Sequence, residues 1–487
     1  MAAHWALEEM ADVDLHDARL NDRITQVLSD LGERPTLSIP AACGGHAEMT
    51  ATYRLFDNPK ATYSGILQPH AERTCQRVRA QPVVLCVQDT TEADLTRPQQ
   101  SVVGAGPLAT DARQGIFLHL LEAFTPDGTP LGQVWSHTWA RDEDTLAISP
   151  EEKRKQRKAA PIEDKESFRW LEGLRKTREL AEQCPGVSCV CVADSEADIY
   201  ELFVEPRGET NPVHFLIRLC QDRAVTADAE SDAVAEQAGL IRQRLAASPV
   251  RFTNEISVRG REPKVGCDDR SRRQPRRDRR TVVEVRAATM TLRPPARPDG
   301  PLPEVTVKVV QVREVKPPAD DIAVEWLLIT TLPINDDEQV RQIIGHYCVR
   351  WMIEIVFRVL KSGCRIEERR FERVDRLERC LAVYLIVAWR TLYVCRLGRS
   401  CPELDCEAVF EPSEWKSVWV TMHRQSPPKK RPRLGEMVRL IAQLGGYINR
   451  ANREDPPGPQ TVWLGLQRMQ DLALAWDTFG PGAKKLV

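Results

Sequence analysis

The sequence predicts an α/β protein whose mixed core carries a β-rich insertion and is flanked by helical regions at both ends. Three observations predict it. Apolar runs of strand length occur at 82–88 and 187–193, as in strands buried on both faces. Apolar and polar residues alternate in the later stretch EVTVKVVQVREV, as in strands with one exposed face. Both ends repeat apolar residues at helical spacing. The expected domains are 1–75, 76–375 with the insertion at 225–320, and 376–487.

The amino-terminal region reads as helical. The stretch DLHDARLNDRITQVLSDLGERP alternates apolar and polar residues at the helical period and ends at a glycine and a proline. A second short helix, EMTATYRLFDNPK, stops at Asn58-Pro59. We therefore expect a self-contained helical domain before the first strand.

Strands and helices then alternate. PVVLCVQDTTEADL is predicted to be a buried strand that ends at Asp89, and GIFLHLLEAFTPDGTPLGQVWSHTW to be a hairpin that turns at Pro126-Asp127-Gly128. KESFRWLEGLRKTRELAEQCPG is amphipathic and helical. VSCVCVADSEADIYELF is a second buried strand, ending at Asp194, and VHFLIRLCQDR is a further strand.

The pattern changes after about residue 225. EVTVKVVQVREV alternates, which marks the β-rich insertion, and the core resumes at EWLLITTLPI. The stretch YCVRWMIEIVFRVLK follows as an apolar helix, and the chain from about 375 onward reads as wholly helical.

Composition limits the possible partners and locations. Net charge is −2, but basic residues cluster in KRKQRK, RSRRQPRRDRR and PPKKRPR. Such runs are usually solvated surface, yet three on one chain favour some contact with phosphates. Fourteen cysteines without a CxxC pair, and no signal-like start, predict reduced thiols in a cytoplasmic protein. The apolar run Cys380–Trp389 is too short to span a bilayer, so no membrane partner is expected.

Two carboxylates suggest a catalytic site. Asp89 and Asp194 each follow an apolar run, and ligands of α/β sheets bind at the carboxyl ends of strands. Taken alone, an aspartate at such a position is more often part of a turn or a helix cap, and it is the pair that points to a site. Hard oxygen ligands on rigid elements are what a metal site for phosphoryl chemistry requires.

The helix YCVRWMIEIVFRVLK supplies a third carboxylate. At about 100° per residue, Tyr347, Arg350, Glu354 and Lys361 fall within roughly 60° of arc on a straight helix. A surface ion pair between Arg350 and Glu354 is the alternative, worth only about 0.3–0.5 kcal/mol. The apolar flanks favour instead a packed helix with a polar stripe facing a cleft.

The spacing Tyr-x2-Arg-x3-Glu-x6-Lys resembles the signature of the insertion-sequence-four superfamily of bacterial transposases. QDTT, GIFLHLLEA, KESFRWL, DSEADIY, EWLLITT and RWMIE resemble the family in the same order, as does the segment IAQLGGYI near the C-terminus. The resemblance covers essentially the whole chain. It implies a ribonuclease-H-like catalytic core with a β insertion before the glutamate helix.

The resemblance also implies residue roles. Asp89, Asp194 and Glu354 would be catalytic and would ligate two Mg²⁺ ions, with Mn²⁺ able to substitute. The implied DNA contacts are Tyr347, Arg350 and Lys361 on phosphates, Trp326 stacked on a flipped base, and Arg218 on phosphate. Trp326 as ordinary strand-end core is the alternative, and His119 is expected to be a core histidine.

The family activity is cut-and-paste transposition: nicking, hairpin formation and opening at transposon ends, and strand transfer into target DNA. The implied partners are double-stranded transposon-end DNA with terminal inverted repeats, target DNA and a second copy of the chain. The amino-terminal domain would read the ends and the carboxy-terminal helices would hold the homodimer. A location at the nucleoid follows. Alternatives are a metal-dependent nuclease, a DNA-binding regulator and a phosphatase.

Overall fold

The computed structural model describes residues 2–108, 113–142, 149–226, 239–260, 262, 276–297, 300–319, 321–448 and 456–481. Contacts divide the chain into two compact units. The first unit comprises 1–84, 89–150 and 351–487, and the second unit comprises 85–88 and 151–350. Most of the predicted Arg-rich run, 270–275, lies outside the described residues. The expected division into three domains stays a prediction.

Helices and strands are numbered here in chain order. The helices are α1 His4–Glu9, α2 Ala18–Glu33, α3 Ile39–Ala42, α4 His46–Asp57, α5 Tyr63–Arg79, α6 Pro150–Ala159, α7 Phe168–Gln183, α8 Tyr200–Val204, α9 Ile241–Ala247, α10 Asp337–Val349, α11 Trp351–Arg358, α12 Val374–Ser400, α13 Pro412–His423, α14 Leu434–Leu444 and α15 Pro459–Phe479. The strands are β1 Val83–Asp94, β2 Gly106–Pro107, β3 Gln114–Phe124, β4 Pro130–Trp139, β5 Ser188–Ala193, β6 His214–Arg218, β7 Ala224–Val225, β8 Gly239–Leu240, β9 Val250–Val258, β10 Arg279–Leu292, β11 Val305–Glu314 and β12 Glu325–Thr330.

The first unit is built on helices and the β3–β4 hairpin. The predicted turn is confirmed: Gly128 has φ +83°, and the Thr125 amide donates to the Thr129 carbonyl at 3.0 Å. Glycine fits this position because φ > 0 carries no Cβ penalty there. Helices α13, α14 and α15 pack with the end of α12 in one apolar cluster. The helical prediction for both ends of the chain is confirmed in the described residues.

Helix α12 corrects the sequence-based view of the apolar run Cys380–Trp389. This run lies within a helix of 27 residues that is long and apolar enough to cross a bilayer. However, 78% of its most apolar window is buried inside the structure. A core helix of a globular unit has this pattern, so length alone does not indicate a membrane span.

The second unit contains a mixed sheet. From residues 85–88 of β1 the order runs β1-β5-β6-β12-β11-β10-β7-β8, with β9 also paired to β10. Strands β5 and β6 are parallel, whereas β12, β11 and β10 continue the sheet antiparallel. The β-rich character of the insertion is confirmed. The sheet places the carboxyl ends of β5 and β6 at one edge.

Strand β11 alternates less than its sequence predicts. Its second half buries consecutive residues, and Gln311 and Glu314 are both under 5% exposed. Glu314 accepts from Arg279 on β10 with both oxygens at 2.8 Å, and Gln311 donates to Glu325 on β12 at 2.7 Å. The polar residues are buried because partners on neighbouring strands satisfy their hydrogen bonds.

The first unit contains a buried glutamate on strand β3. Glu122 on β3 is 2% exposed, and its Oε1 has no hydrogen-bond partner among the described residues. It lies opposite Gln133 on β4. Burial raises the pKa of Glu122 from its ordinary 4.5 to about 8, because the carboxylate is desolvated without a compensating cation.

We expect the free energy of unfolding to fall as pH rises from 5 to 8, and Glu122→Gln to reduce that dependence. A group whose folded pKa is raised stabilises the fold fully below its unfolded pKa and loses this contribution as pH passes the folded pKa. The slope of the unfolding free energy against pH should differ between wild type and Glu122→Gln by up to about 1.4 kcal/mol per pH unit. Urea titrations at pH 5, 6, 7 and 8 measure it. The exposed Glu72→Gln is the matched control, and equal slopes for wild type and Glu122→Gln would contradict the prediction.

Candidate active site

The candidate residues are divided between the two units. The first unit holds Asp89, Glu354 and Lys361. The second unit holds the other five, which are Asp194, Arg218, Trp326, Tyr347 and Arg350.

Asp89 does not end its strand, which corrects the sequence-based expectation. Strand β1 continues to Asp94, and Asp89 lies where fully buried residues give way to half-buried ones. The strand continues because β3 pairs with it and Thr90 supports it: the Thr90 hydroxyl lies 2.8 Å from Nδ1 of His119. His119 is fully buried, which confirms the prediction of a core histidine.

Glu354 lies on α11 and is half-buried, whereas Met352, Ile353, Val356 and Phe357 are buried on the same helix. Its apolar neighbours therefore anchor the helix, as predicted.

The prediction of one straight helix from Tyr347 to Lys361 is wrong. Helix α10 ends at Val349, where the Arg350 amide bonds to the Tyr347 carbonyl at 3.1 Å, and α11 begins at Trp351. A π-helical turn, Val359–Gly363, follows α11 and is closed by the Cys364 amide on the Val359 carbonyl at 2.8 Å. The rotation per residue in a π turn differs from that in an α-helix. The arc calculated for a straight helix therefore does not apply to the stripe of four polar residues from Tyr347 to Lys361.

Lys361 lies in this π turn and is half-buried. Its Nζ is 3.5 Å from the carboxylate of Glu367, which also accepts from the Asp94 amide at 3.0 Å. Glu367 therefore connects the π turn to the end of β1. Sequence reasoning missed Glu367, and its IEE context carries no signal that could have revealed it.

Asp194 follows β5 directly, as predicted. It is also the cap of a short 3₁₀ turn, Ser195–Ala197, since its Oδ1 accepts from the Glu196 amide at 2.8 Å. Ala193 is in register with Ile217, so Asp194 and Arg218 leave neighbouring parallel strands at the same edge. The Arg218 side chain is exposed there. A carboxylate and a cation thus stand where ligands of α/β sheets bind.

Trp326 and Tyr347 form an aromatic pair in the second unit. Their ring centroids are 5.5 Å apart at 68°, an edge-to-face contact. Tyr347 is 3% exposed, whereas Trp326 is half-buried and keeps part of its surface accessible. Arg350 is only 6% exposed. Trp326 is thus partly core, as the alternative reading holds, and partly accessible to a ligand.

The three carboxylates suit Mg²⁺ by their chemistry, because this ion prefers hard oxygen ligands. Among the described residues, however, no three His, Cys, Asp or Glu side chains lie together as a group that could hold a metal ion. A shared metal-binding role for the three carboxylates is therefore inferred from the chemistry of their oxygen atoms and from their positions in the sequence.

Comparison with known proteins assigns most of the chain. Residues 2–61 match the family model "Transposase DNA-binding", residues 171–389 match "Transposase DDE domain", and residues 386–475 match "Transposase Tn5 dimerisation domain". The chain therefore belongs to the DDE transposases, and the predicted ribonuclease-H-like core is confirmed by the domain match. Within this class it resembles the transposase of Tn5, as the dimerisation match specifies. Asp89 lies outside the matched ranges, whereas the other seven candidate residues lie within 171–389.

A solved structure is also similar at a distance. It is described as a piggyBac transposase synaptic complex with hairpin DNA, with 9% identity and a TM-score of 0.30. The match covers 67% of this chain and 50% of that one, so the chain spans about half the length of this neighbour. A likeness this distant carries no conclusion about function.

Proposed function

We propose that the protein is a cut-and-paste DNA transposase that excises an element at its terminal inverted repeats and joins it to target DNA. The observation that carries the proposal is the order of the three matched regions, for DNA binding, DDE catalysis and dimerisation, along one chain. Asp194 at the end of β5 and Glu354 on a packed helix support the same reading.

The chemistry proceeds in four phosphoryl-transfer steps. Water attacks a phosphodiester at the transposon end and releases a 3′-hydroxyl. That hydroxyl attacks the opposite strand, which closes a hairpin on the transposon and releases the flanking DNA. A second water opens the hairpin, and the new 3′-hydroxyl attacks the target strand. Each step exchanges one phosphate–oxygen bond for another, so no oxidant or reductant is needed.

Named residues take separate roles in this scheme. Asp89, Asp194 and Glu354 would hold two Mg²⁺ ions, which when bound stabilise charge on the phosphate oxygens. Arg350 would bind phosphate with its planar fork, Lys361 would bind it as a point charge, and Tyr347 would be a further phosphate contact. Arg218 is a further phosphate contact, and Trp326 would stack on the base displaced during hairpin formation.

The test uses purified protein, Mg²⁺ and a DNA fragment carrying the element's own terminal repeats. Excision through hairpin intermediates, followed by joining to a plasmid target, is expected. A metal-dependent nuclease is the second candidate, because the same carboxylates would serve it. Pre-cleaved ends separate the two: a transposase joins them to target DNA, whereas a nuclease leaves them unjoined.

DNA binding should depend steeply on salt. Because the net charge is −2, affinity must come from locally clustered Lys and Arg, whose phosphate contacts release counterions. Action at the nucleoid is part of the proposal.

The proposed dimer has a candidate contact on α15. Leu474 is 59% exposed although it lies within the matched dimerisation region, 386–475. We propose that Leu474 is buried against a second copy, because it lies in the region that the dimerisation model matches.

Leu474→Glu is expected to weaken the dimer about 10- to 100-fold, because burial of a leucine contributes about 1.5–3 kcal/mol. Sedimentation equilibrium with end DNA present measures the dissociation constant. Val103→Glu is the control, since Val103 is 68% exposed and lies outside the matched dimerisation region. An unchanged dissociation constant for Leu474→Glu, or an equal loss for the control, would remove α15 from the interface.

A further inference from the structure

A buried ion pair joins the turn after β5 to the turn after β6. The side chain of Asp198 is fully buried and that of Arg223 is 9% exposed. Arg223 Nε donates to Asp198 Oδ1 at 2.8 Å, its Nη2 contacts the same oxygen, and Nη2 also donates to the Asp198 carbonyl at 2.7 Å. The two residues are therefore held by the carboxylate and by the backbone.

The second oxygen of Asp198 binds backbone. Oδ2 accepts from the amides of Cys220 and Gln221 at 2.9 and 2.8 Å. Both carboxylate oxygens are thus engaged, and the guanidinium of Arg223 lies over the Phe203 ring at 5.3 Å. A buried charge with this many partners holds one geometry, because losing any partner leaves polar groups unsatisfied.

The pair has a position that matters for the proposed chemistry. Asp198 closes the 3₁₀ turn that Asp194 opens, since its amide bonds to the Ser195 carbonyl at 3.3 Å. Cys220 and Gln221 follow Arg218 by two and three residues. The carboxylate of Asp198 therefore ties the turn that begins at Asp194 to the segment that follows Arg218.

We propose that Asp198 and Arg223 are positioning residues, which hold the metal-ligating Asp194 at a fixed place relative to Arg218. The proposal rests on the proposed function. The Asp198–Arg223 pair would act on the site through the turn between them, by its hydrogen bonds within the protein. Outer partners of metal ligands that orient the ligand typically change metal affinity about 10- to 100-fold when they are replaced.

The test measures Mn²⁺ binding by electron paramagnetic resonance on the full chain, with and without a duplex transposon end. Asp198→Asn is expected to raise the Mn²⁺ dissociation constant about 10- to 100-fold. Arg223→Lys keeps the charge but loses the fork, so it is expected to have a smaller effect in the same direction. Circular dichroism establishes whether each variant is folded. If Asp198→Asn does not fold, the Mn²⁺ dissociation constant of Arg223→Lys decides the test.

The matched control is Glu205→Gln in the same unit. Glu205 accepts from Nε and Nη2 of Arg175 at 2.8 and 3.1 Å and is 11% exposed, but it lies outside both turns. The Mn²⁺ affinity of the Glu205→Gln variant should stay within about twofold of wild type, since no outer partner of a metal ligand is lost.

A second readout tests the contact itself. Burial and the Asp198 carboxylate raise the pKa of the Cys220 thiol to about 11. Asp198→Asn removes the neighbouring anion, so a larger fraction of Cys220 should be the reactive thiolate and its alkylation should be faster. Mass spectrometry measures the rate of alkylation at Cys220.

The outcomes separate the two proposals. Wild-type Mn²⁺ affinity in Asp198→Asn, equal loss in Glu205→Gln, or no Mn²⁺ binding by wild type would each overturn the positioning role. Mn²⁺ binding by wild type without cleavage of any repeat-bearing DNA would remove the proposed function alone, and the positioning role would still be decided by the dissociation constants.

Discussion

Replacing Asp194 by asparagine is expected to abolish excision of the element while leaving the protein folded and able to bind its end DNA. Asparagine caps helical turns as well as aspartate does, so the bond to the Glu196 amide at 2.8 Å is retained. What is lost is the negative charge with which Asp194 would hold a divalent cation in the proposed mechanism. The loss should exceed about a thousandfold, because a catalytic metal supplies several kcal/mol and each 1.4 kcal/mol is a factor of ten.

The measurement is single-turnover nicking of a labelled repeat-bearing duplex, with binding of the same duplex followed by gel shift. Glu196→Gln is the control, because Glu196 is exposed and neighbours Asp194 but pairs with Arg169 at 2.8 Å. It should retain activity. Asp89→Asn and Glu354→Gln should lose nicking as Asp194→Asn does. Retained excision in any of the three would take that carboxylate out of the metal site.

The second expected result concerns Trp326. Trp326→Ala should slow hairpin formation about 5- to 150-fold and leave the first nick unchanged, since base–aromatic stacking contributes about 1–3 kcal/mol. In the proposed scheme, the hairpin step is the one in which a base leaves the duplex to stack on Trp326. The ring of Trp326 packs edge-on against Tyr347 at 5.5 Å, and the residue is only half-buried, which leaves part of its surface for stacking.

Rates of nicking and hairpin formation are resolved on denaturing gels from one time course. Trp326→Phe keeps an aromatic face and should recover part of the rate. Trp170→Phe is the control, because Trp170 is fully buried in the same unit and offers no surface on which a base could stack. If Trp326→Ala slows nicking and hairpin formation equally, the ring is ordinary core and the stacking role is wrong.

Much of the fold could be predicted because its signals are local. The β3–β4 hairpin follows from alternating runs around Pro126-Asp127-Gly128, and β5 from an apolar run that stops at Asp194. Most of the helical elements follow from the spacing of apolar residues. The candidate carboxylates were found because Asp194 follows an apolar strand and Glu354 interrupts an apolar helix.

Other features depend on partners far along the chain. Strand β1 continues beyond Asp89 because β3, which begins 25 residues later, pairs with it. The helical run from Tyr347 to Lys361 breaks because two backbone hydrogen bonds shift from the α pattern to shorter and longer ones. No local propensity specifies either change.

The order of the helices and strands along the chain therefore follows from the amino acids alone, because it depends on the local spacing of apolar residues. The presence of carboxylates suited to metal-assisted phosphoryl chemistry follows from them as well, because it depends on residue type. The tertiary structure decided where each strand ends, that α12 is a core helix, that Glu367 joins Lys361 to β1, and that Asp198 binds Arg223. Each of these depends on burial or on a hydrogen bond between residues distant in sequence, and such pairings exist only once the chain has folded.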